Sequence, residues 1–423
     1  MKRIIILLCA LSCMIACHND DNNEVTPPAN VSRAVMIYMA GENNLTSSNN
    51  YRFLQNDLTE IIEGSKLLAA DQRLFVFVDS LNTNSNEAGM PYIIEVQGGK
   101  VLPRKVFTEE FYTSDPAFFH QVLEWMTTNA KASSYGVVLW GHASGWVVST
   151  DTIAQSRTIT RAYGEDDGND IKGGHVTWMN ITQMARALQG LPKFKFIFCD
   201  CCNMMNAEVG YELRNATDYL IGSPAEIPGE GAPYQKIIPK LFLENDSDLY
   251  RSVIDTYYNY YIDGFKDDED LNGYSVPLSV IDTKQMENLA RETRDILGTF
   301  MPTAPNSPNL NNIAFYWYYD SAPIMYDMKA FMKANAEGSR YQQWEQAYNK
   351  AVPYYRMSMK WMTIYSGLYY SFRSFNQDKS MYGCVSMHIP RNLYAYTSGY
   401  FRLNEYSTNM AWNRVMEWSR FGW

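Results

Sequence analysis

The stretch FKFIFCDCC, residues 194–202, joins a run of strand-forming residues to a cluster of cysteines. The run is apolar at nearly every position and does not alternate between apolar and polar residues. Strands of this kind are covered on both faces, as they are in a mainly parallel sheet. The stretch therefore predicts a buried parallel strand that leads into Cys199, Cys201 and Cys202.

Five further segments have a similar composition, and helical patterns separate most of them. The predicted strands are AVMIYMAG (34–41), RLFVFVDS (73–80), YIIEVQ (92–97), YGVVLWG (135–141) and DYLIGS (218–223). The predicted helices cover residues 46–65, 115–130, 180–189, 203–214 and 233–243. This alternation predicts a doubly wound α/β fold, with a mainly parallel sheet flanked by helices.

The chain beyond residue 245 has a different pattern. Helical segments at 248–264, 283–300 and 341–363 alternate with two strand-like segments, YSVPLSVID (274–282) and MYGCVSMHIP (381–390). We interpret residues 33–245 as the core domain. Residues 246–423 are then a mixed α/β C-terminal subdomain that adds strands to the main sheet.

Two predicted strands lead into side chains capable of nucleophilic chemistry. His142 follows one of them, and the cysteine cluster ends the other. Ligands of open parallel sheets bind beyond the carboxyl ends of the strands. If these strands are neighbours, His142 and one thiol emerge at the same edge.

A thiol at this position lies near the start of the next predicted helix, where backbone N–H groups favour the thiolate. A nearby histidine can hold the thiol proton or protonate a leaving amine. Backbone amides around residues 141–143 and at the nucleophile can supply an oxyanion hole. The pattern therefore favours a cysteine nucleophile with a histidine partner.

The cysteine cluster has three competing interpretations: a metal site, a disulfide and apolar packing. Zinc sites usually combine two pairs in C-x₂-C spacing, and the chain has no second pair that matches this cluster. Adjacent cysteines do not easily reach the Cα separation of a disulfide. Burial as small apolar residues is the expectation for Cys199 and Cys201.

The N-terminus predicts export and lipidation. Lys2 and Arg3 precede an apolar run at residues 4–15, which suits a secretory signal and is too short to span a bilayer. MIAC (14–17) resembles a lipobox, so residues 1–16 would be the signal peptide and Cys17 would carry the lipid. An ordinary signal peptide, with no role for Cys17, is the alternative.

Residues 17–32 are predicted to be a flexible tether, because they are polar and contain prolines without periodicity. Two aspartates close behind Cys17 resemble the export signal of bacterial surface lipoproteins. We therefore expect attachment to the outer membrane, facing the periplasm or the cell surface.

The charge balance restricts the partners. The formal charge of −10 becomes −12 when the two positive charges of Lys2 and Arg3 are removed, and the chain has no cluster of basic residues. We therefore expect no nucleic-acid partner. No later segment is apolar enough to span a membrane, so the lipid anchor is the expected membrane contact. The protein is expected to be a monomer.

Several motifs resemble, in order, those of the clostripain-like cysteine peptidases of the caspase–gingipain–legumain clan. They are AVMIYMAGENNL (34–45), LWGHASGW (139–146), RAYGEDD (161–167), DCCNMMNAEVGYEL (200–213), GSPAEIPGEGAPY (222–234) and YGCVSMHIP (382–390). The resemblance covers most of the chain from residue 33. It implies a caspase-like fold and cysteine peptidase activity on protein or peptide substrates.

The resemblance also implies which residues act. The family motif Asp-Ala-Cys-x-Met matches residues 200–204, which makes Cys202 the nucleophile and places Cys201 where alanine is usual. His142 is implied as the other half of the dyad. Ala143 replaces a glycine whose N–H serves the oxyanion hole, and alanine keeps that N–H. Cys201 is a second thiol that could trap the nucleophile under oxidation.

Members of this family cleave after Arg or Lys and hold the basic side chain with acidic groups. The matching residues are Asp200 and Glu230, and carboxylates recognise guanidinium through paired, charge-assisted hydrogen bonds. The family usually has aspartate in place of Glu230. For both residues the alternative is a structural cap or a simple surface charge.

The resemblance further implies self-processing in the loop 147–163, where Arg157 and Arg161 are the candidate cleavage sites. No cofactor is expected, but some relatives need calcium. GEDDGND (164–170) is rich in oxygen ligands without the spacing of a known calcium loop, so calcium stays open.

Two functions are therefore compatible with the sequence. One is a lipid-anchored cysteine endopeptidase, and the other is a catalytically silent surface lipoprotein that binds peptide or glycan. The signal and tether suit both, and the pairing of His142 with Cys202 favours the endopeptidase.

Overall fold

The computed structural model describes residues 31–46, 52–81, 90–147, 163–168, 171, 173–265, 275–303, 308–319, 322–358, 360–362, 369–371, 379–391 and 403–422. The strands are β1 (Val31–Gly41), β2 (Gln72–Ser80), β3 (Tyr92–Gln97), β4 (Lys100–Val106), β5 (Ala132–Trp140), β6 (Tyr163–Asp166), β7 (Thr177–Met179), β8 (Phe194–Asp200), β9 (Thr217–Gly222), β10 (Leu278–Asp282), β11 (Phe315–Tyr319), β12 (Ala322–Asp327), β13 (Tyr354–Arg356), β14 (Lys360–Met362), β15 (Tyr369–Ser371) and β16 (Ser386–Met387).

The α-helices are α1 (Phe53–Gly64), α2 (Pro116–Asn129), α3 (Ile181–Ala187), α4 (Ala207–Glu212), α5 (Tyr234–Ile237), α6 (Asp246–Phe265), α7 (Met286–Phe300), α8 (Met328–Asn335), α9 (Gly338–Ala351), α10 (Leu403–Ser407) and α11 (Ala411–Met416). Short 3-10 helices cover Ser65–Leu67, Ile238–Phe242, Thr283–Gln285, Met301–Thr303, Lys379–Met381 and Trp418–Phe421. Within the described ranges, no helix combines the length and apolarity needed to cross a bilayer.

The main sheet is mostly parallel. Its described strands follow the order β13-β10-β9-β8-β5-β1-β2-β3-β4. The five central strands, from β9 to β2, run parallel to one another. The strands β3 and β4 on one side, and β10 and β13 on the other, are antiparallel. The predicted α/β fold with a mainly parallel sheet is confirmed.

Both faces of the sheet are buried, as the continuous apolar runs predict. In β1, Met36 and Tyr38 pack into one core and Ile37 and Met39 into the other, because successive side chains of a strand point to opposite faces. Helices α1, α5 and α6 cover the second face, whereas α2, α3, α4 and α7 cover the first. The result is a three-layer arrangement of helices, sheet and helices.

Part of the chain predicted as helix forms a strand. The helical pattern at 341–363 ends as a helix at Ala351, and Tyr354–Arg356 forms β13, which pairs with β10. The cause is Pro353, which has no N–H for a helical hydrogen bond and disfavours helical angles at Val352. Val352 accordingly leaves the helix with φ −121° and ψ 74°.

The sequence pattern does not predict the edge strand β4. Most of its residues are exposed, and it contains Pro103, so it lacks the buried apolar pattern of the central strands. A proline is tolerated there because an edge strand leaves some N–H positions facing solvent. At the opposite edge, β10 and β13 come from the chain beyond residue 245 and extend the main sheet. The domain boundary between residues 245 and 246 stays a prediction.

A buried ion pair ties β2 to β3 and gives stability a pH dependence. Arg73 donates from Nε and Nη2 to the two carboxylate oxygens of Glu95, each at 2.8 Å, and Arg104 Nε donates to Glu95 at 2.6 Å. Burial raises the pKa of Glu95, but the two arginines outweigh it and leave the pKa below its usual value. Their stabilisation is therefore present above the unfolded pKa of about 4.3 and is lost as pH falls through the folded pKa.

Glu95→Gln is expected to lower the free energy of unfolding by about 2 kcal/mol at pH 7, because it weakens charge-assisted hydrogen bonds. The difference from the unmodified protein should shrink once the pH is below the folded pKa. Urea denaturation between pH 3 and pH 7 measures both. Glu124→Gln, at an exposed position of α2, is the control, and an equal loss at all pH values would contradict the prediction.

Candidate active site

The sheet topology brings His142 and Cys202 to one edge. Strands β5 and β8 are parallel neighbours, and Trp140 is the register partner of Asp200 at their carboxyl ends. His142 and Cys202 are each the second residue beyond these partners, so they leave the sheet at the same level. Both side chains are partly buried.

The other two cysteines of the cluster are packed inside. Cys199 is 2% exposed and Cys201 is 1% exposed, and both belong to the core that α2, α3 and α4 cover. Burial raises the pKa of the Cys201 thiol well above its usual value. Among the described cysteines no disulfide is formed. Apolar packing is therefore the state of Cys199 and Cys201, and Cys202 is the more accessible thiol of the cluster.

The turn after β8 holds Cys202 against the loop that follows β9. Asn203 adopts left-handed angles, with φ 60°, and its N–H donates to Ala225 O at 3.0 Å. The sequence predicted a helix from residue 203, with the thiol near its start. Helix α4 begins only at Ala207, so Cys202 lies well before the helix. Instead, the backbone N–H of Ile227 donates to Cys202 Sγ at 3.4 Å. This N–H favours the thiolate, since hydrogen bonds to a charged form stabilise it.

The loop after β5 packs directly on the cysteine turn. Gly145 has φ 62°, and a Cβ added there would lie 2.3 Å from Asn203 O. Ala143 is buried and forms a bridge to Tyr163, in which Gly164 N–H donates to His142 O at 2.9 Å. Ala143 is not among the described residues with positive φ, so its backbone suits alanine as well as glycine.

Residues distant in sequence surround the His142 ring. Its Nε2 lies 2.7 Å from Asn44 Oδ1 and 3.8 Å from a Glu165 carboxylate oxygen. The Trp178 ring lies 6.5 Å from the imidazole, centroid to centroid. Asn44 and Glu165 lie in two of the motifs that resemble the family, at 34–45 and 161–167, but their local pattern does not indicate contact with His142.

Asp200 is a buried carboxylate with three donors. It accepts hydrogen bonds from Ala232 N–H at 3.1 Å, Tyr234 Oη at 2.8 Å and Tyr257 Oη at 3.1 Å. Burial raises its pKa in spite of these donors. Its side chain points to the face that α1, α5 and α6 cover, and there it braces the loop that carries Glu230.

Further carboxylates share this region. Asp57 of α1 accepts a hydrogen bond from Trp140 Nε1 at 2.6 Å, and burial, followed by the charge of Asp200, raises its pKa to about 9. Glu230 is exposed, and its charge acts on Asp57 and Tyr261. We call Asp57, Asp200 and Glu230 the acidic cluster. Because the Asp57 carboxyl holds its proton below a pH of about 9, Asp200 and Glu230 are the members that can offer negative charge to a cationic side chain.

One group of described residues has the geometry to hold a metal ion. Single ligand atoms of Glu42, Asp79 and Asp166 lie within 4.8 Å of one another, and all three side chains are buried. Oxygen ligands of this kind suit calcium or magnesium. Asp166 also accepts hydrogen bonds from Thr113 N–H at 2.7 Å and Gly168 N–H at 2.9 Å. Calcium binding by this protein therefore stays an open alternative.

Three predicted site residues, Cys17, Arg157 and Arg161, lie outside the described residues.

Comparison with known proteins gives a family for this fold and site. The model of the clostripain family matches residues 37–421. The structure of a secreted C11 cysteine protease from Bacteroides thetaiotaomicron, in complex with an irreversible peptide inhibitor, is 27% identical. The match covers 92% of this chain and 99% of that chain, with a TM-score of 0.74. No curated protein matches the sequence significantly.

Two further structures are similar. An inactive zymogen C11 protease from Parabacteroides distasonis is 23% identical over 92% of this chain and 99% of its own, with a TM-score of 0.72, and shares the fold. A B. fragilis cysteine protease is 27% identical over 58% of this chain and 96% of its own, with a TM-score of 0.51. The family match spans almost all of the described residues, and the fold is the caspase-like fold of these proteases. The chain therefore belongs to the clostripain family and is a cysteine peptidase.

Proposed function

We propose that this protein is an endopeptidase that cleaves after Arg or Lys, with Cys202 as the nucleophile and His142 as its acid–base partner. The observation that carries the proposal is the register of β5 and β8, which pairs Trp140 with Asp200 and so places both residues at one level of the sheet edge. The more exposed position of Cys202 favours it over Cys199 and Cys201.

The reaction follows from these positions. His142 accepts the proton of Cys202, and the thiolate attacks the carbonyl carbon of the substrate. The backbone N–H of Ala143 stabilises the resulting oxyanion. The C–N bond then breaks, the amine leaves with the proton held by His142, and a thioester remains. Water hydrolyses the thioester and regenerates the thiol. The Ile227 N–H supports the thiolate before the attack.

The acidic cluster supports a preference for basic residues. Asp200 is the inner carboxylate, and Glu230 lies exposed on a turn between two glycines. A guanidinium or ammonium group bound here would pair with Glu230 and gain from negative charge on Asp200 behind it. Because three donors already bind Asp200, its contribution is chiefly electrostatic.

Maturation and location are part of the proposal. Cleavage after Arg157 or Arg161 would separate the chain that carries His142 from the chain that carries Cys202. Lipid on Cys17 would hold the enzyme at the outer membrane, where it acts as a monomer on protein or peptide substrates. The motif at residues 14–17 and the polar tether support this location.

Fluorogenic peptides test the proposal. The protein from residue 30 onward is incubated with matched substrates that carry Arg, Lys, Ala or Asp before the cut site. We expect cleavage of the Arg and Lys peptides only, and labelling of Cys202 by an irreversible Arg or Lys peptide inhibitor, located by mass spectrometry. Inactivity on all substrates, even after nicking at Arg157 or Arg161, would favour a silent binding lipoprotein.

Glu230→Gln is expected to lower kcat/KM for Arg and Lys peptides about fivefold, since an exposed ion pair contributes at most about 1 kcal/mol. The rate of thiol alkylation by iodoacetamide, which has no basic side chain, should stay unchanged. Glu244→Gln, at an exposed glutamate whose charge acts on Arg33, is the matched control. Equal activity of Glu230→Gln and the unmodified enzyme on all peptides would show that Glu230 does not bind the basic side chain of the substrate.

A further inference from the structure

Two side chains from separate segments hold the imidazole of His142. Asn44 follows β1, and its Oδ1 lies 2.7 Å from His142 Nε2. Glu165 belongs to β6, and one carboxylate oxygen lies 3.8 Å from the same nitrogen. The side chains of His142 and Glu165 are 17% and 16% exposed, so water screens their interaction only in part.

The segments that carry these side chains are joined to each other. Asn43, which is 1% exposed, donates from Nδ2 to Glu165 O at 2.8 Å and to Ala40 O at 3.0 Å. Gly164 N–H donates to His142 O at 2.9 Å. The loop after β1, the loop after β5 and strand β6 are therefore joined to one another by hydrogen bonds beside the imidazole.

The partners decide which ring nitrogen carries the proton. Amide Oδ1 is an acceptor only, so the hydrogen bond from Nε2 requires a proton on Nε2. In the neutral ring, Nδ1 then has the lone pair and is the nitrogen that can accept a proton. When Nδ1 takes the thiol proton, the ring becomes positive, and the Glu165 carboxylate favours that charge.

We propose that Asn44 and Glu165 are positioning residues for His142: Asn44 fixes the imidazole tautomer, and Glu165 stabilises the imidazolium formed when Cys202 loses its proton. The inference rests on the proposed His142–Cys202 dyad. The proton moves from Cys202 Sγ to His142 Nδ1 and then to the leaving amine nitrogen. Asn44 and Glu165 exchange no proton.

The groups that face the ring can be separated by experiment. In the part of the chain that the structure describes, Glu165 from β6 is a titratable side chain beside the ring, and Asn44 and the Trp178 ring from β7 are uncharged. The neighbouring carboxylate of Asp166 is turned toward Thr113 and Gly168, to which it is hydrogen-bonded. Removal of the Glu165 charge should therefore act on His142.

Glu165→Gln tests the charge. Loss of a negative charge destabilises the imidazolium, so the pKa of His142 should fall by about 0.5–1 unit. The alkaline limb of the kcat/KM profile should move to lower pH by the same amount. NMR of labelled histidine, assigned with His142→Ala, measures the pKa without turnover. Asp167→Asn removes a half-buried carboxylate two residues along and should leave both values unchanged.

Substitutions of Asn44 test the tautomer. Asn44→Ala should lower kcat roughly 10-fold with KM little changed, a part of the roughly 10²–10⁴-fold that general acid–base catalysis contributes. Asn44→Asp keeps an acceptor and adds a negative charge. It should restore most of the rate and move the alkaline limb to higher pH, which a purely structural role of Asn44 would not do.

The results separate this inference from the proposed function. A His142 pKa that stays the same in Glu165→Gln, or an Asn44→Asp variant as slow as Asn44→Ala, would overturn the inference while Cys202-dependent cleavage continued. An unmodified protein that cleaves no peptide would overturn the dyad, and the NMR titration would still decide whether Glu165 acts on His142.

Discussion

Replacing Cys202 with alanine is expected to reduce kcat/KM for Arg and Lys peptides by at least about 10⁴-fold, the scale at which loss of a nucleophile acts in such sites. In the proposed mechanism the sulfur forms the covalent bond to the substrate, and alanine offers no replacement. The measurement is cleavage of the fluorogenic peptides by purified protein, with far-ultraviolet circular dichroism to confirm folding.

The neighbouring thiol supplies the matched control. Cys201 is 1% exposed, and burial favours its neutral form, so Cys201→Ala should keep activity within a few fold. It should also lose any sensitivity to oxidants that depends on a second thiol near Cys202. Activity that is lost in Cys201→Ala and kept in Cys202→Ala would reverse the assignment of the nucleophile.

Gly145→Ala is expected to damage both stability and catalysis. Its φ of 62° is costly for alanine, and the new Cβ would lie 2.3 Å from Asn203 O and 2.6 Å from Asn206 Nδ2. We expect the free energy of unfolding to fall by about 3 kcal/mol, the sum of left-handed strain and overpacking. Because the clash separates the loops that carry His142 and Cys202, kcat/KM should fall at least about 100-fold.

Gly173→Ala separates strain from collision. Gly173 also has positive φ, at 77°, but no described atom lies within 4 Å of the added Cβ. Gly173→Ala should lower the free energy of unfolding by about 1 kcal/mol and leave kcat/KM unchanged. Urea denaturation and peptide cleavage measure the two variants together. Equal losses of unfolding free energy and of kcat/KM in Gly145→Ala and Gly173→Ala would mean that packing between the loops after β5 and β8 contributes to neither.

Local patterns predicted the central elements well. Segments 34–41, 73–80, 92–97 and 194–200 all lie within the strands that form, since burial on both faces produces apolar residues at nearly every position. Prediction failed where the pattern is weak or misleading. The exposed edge strand β4 has little apolar signal, and the sequence after Ala351 continues a helical pattern that Pro353 interrupts.

The proposed site is visible in the sequence only in part, for a similar reason. His142 and Cys202 follow strong strand signals, and histidine and cysteine are residue types capable of acid–base and nucleophilic chemistry. Asn44 and Glu165 are ordinary polar residues in the sequence, and Ile227 contributes only its backbone N–H. No local pattern marks such residues, because their roles depend on contacts between segments far apart in the chain.

By itself, the sequence determined the class of fold, the residue types available for catalysis and the strand ends where they lie. The tertiary structure decided the order β8-β5-β1, and with it the position of His142 and Cys202 at one edge of the sheet. It also decided that Cys201 is buried while Cys202 is more accessible, and that Asn44 and Glu165 meet at one imidazole. The physical reason is that periodicity records which face of an element is buried, whereas register and packing determine which distant residues share a site.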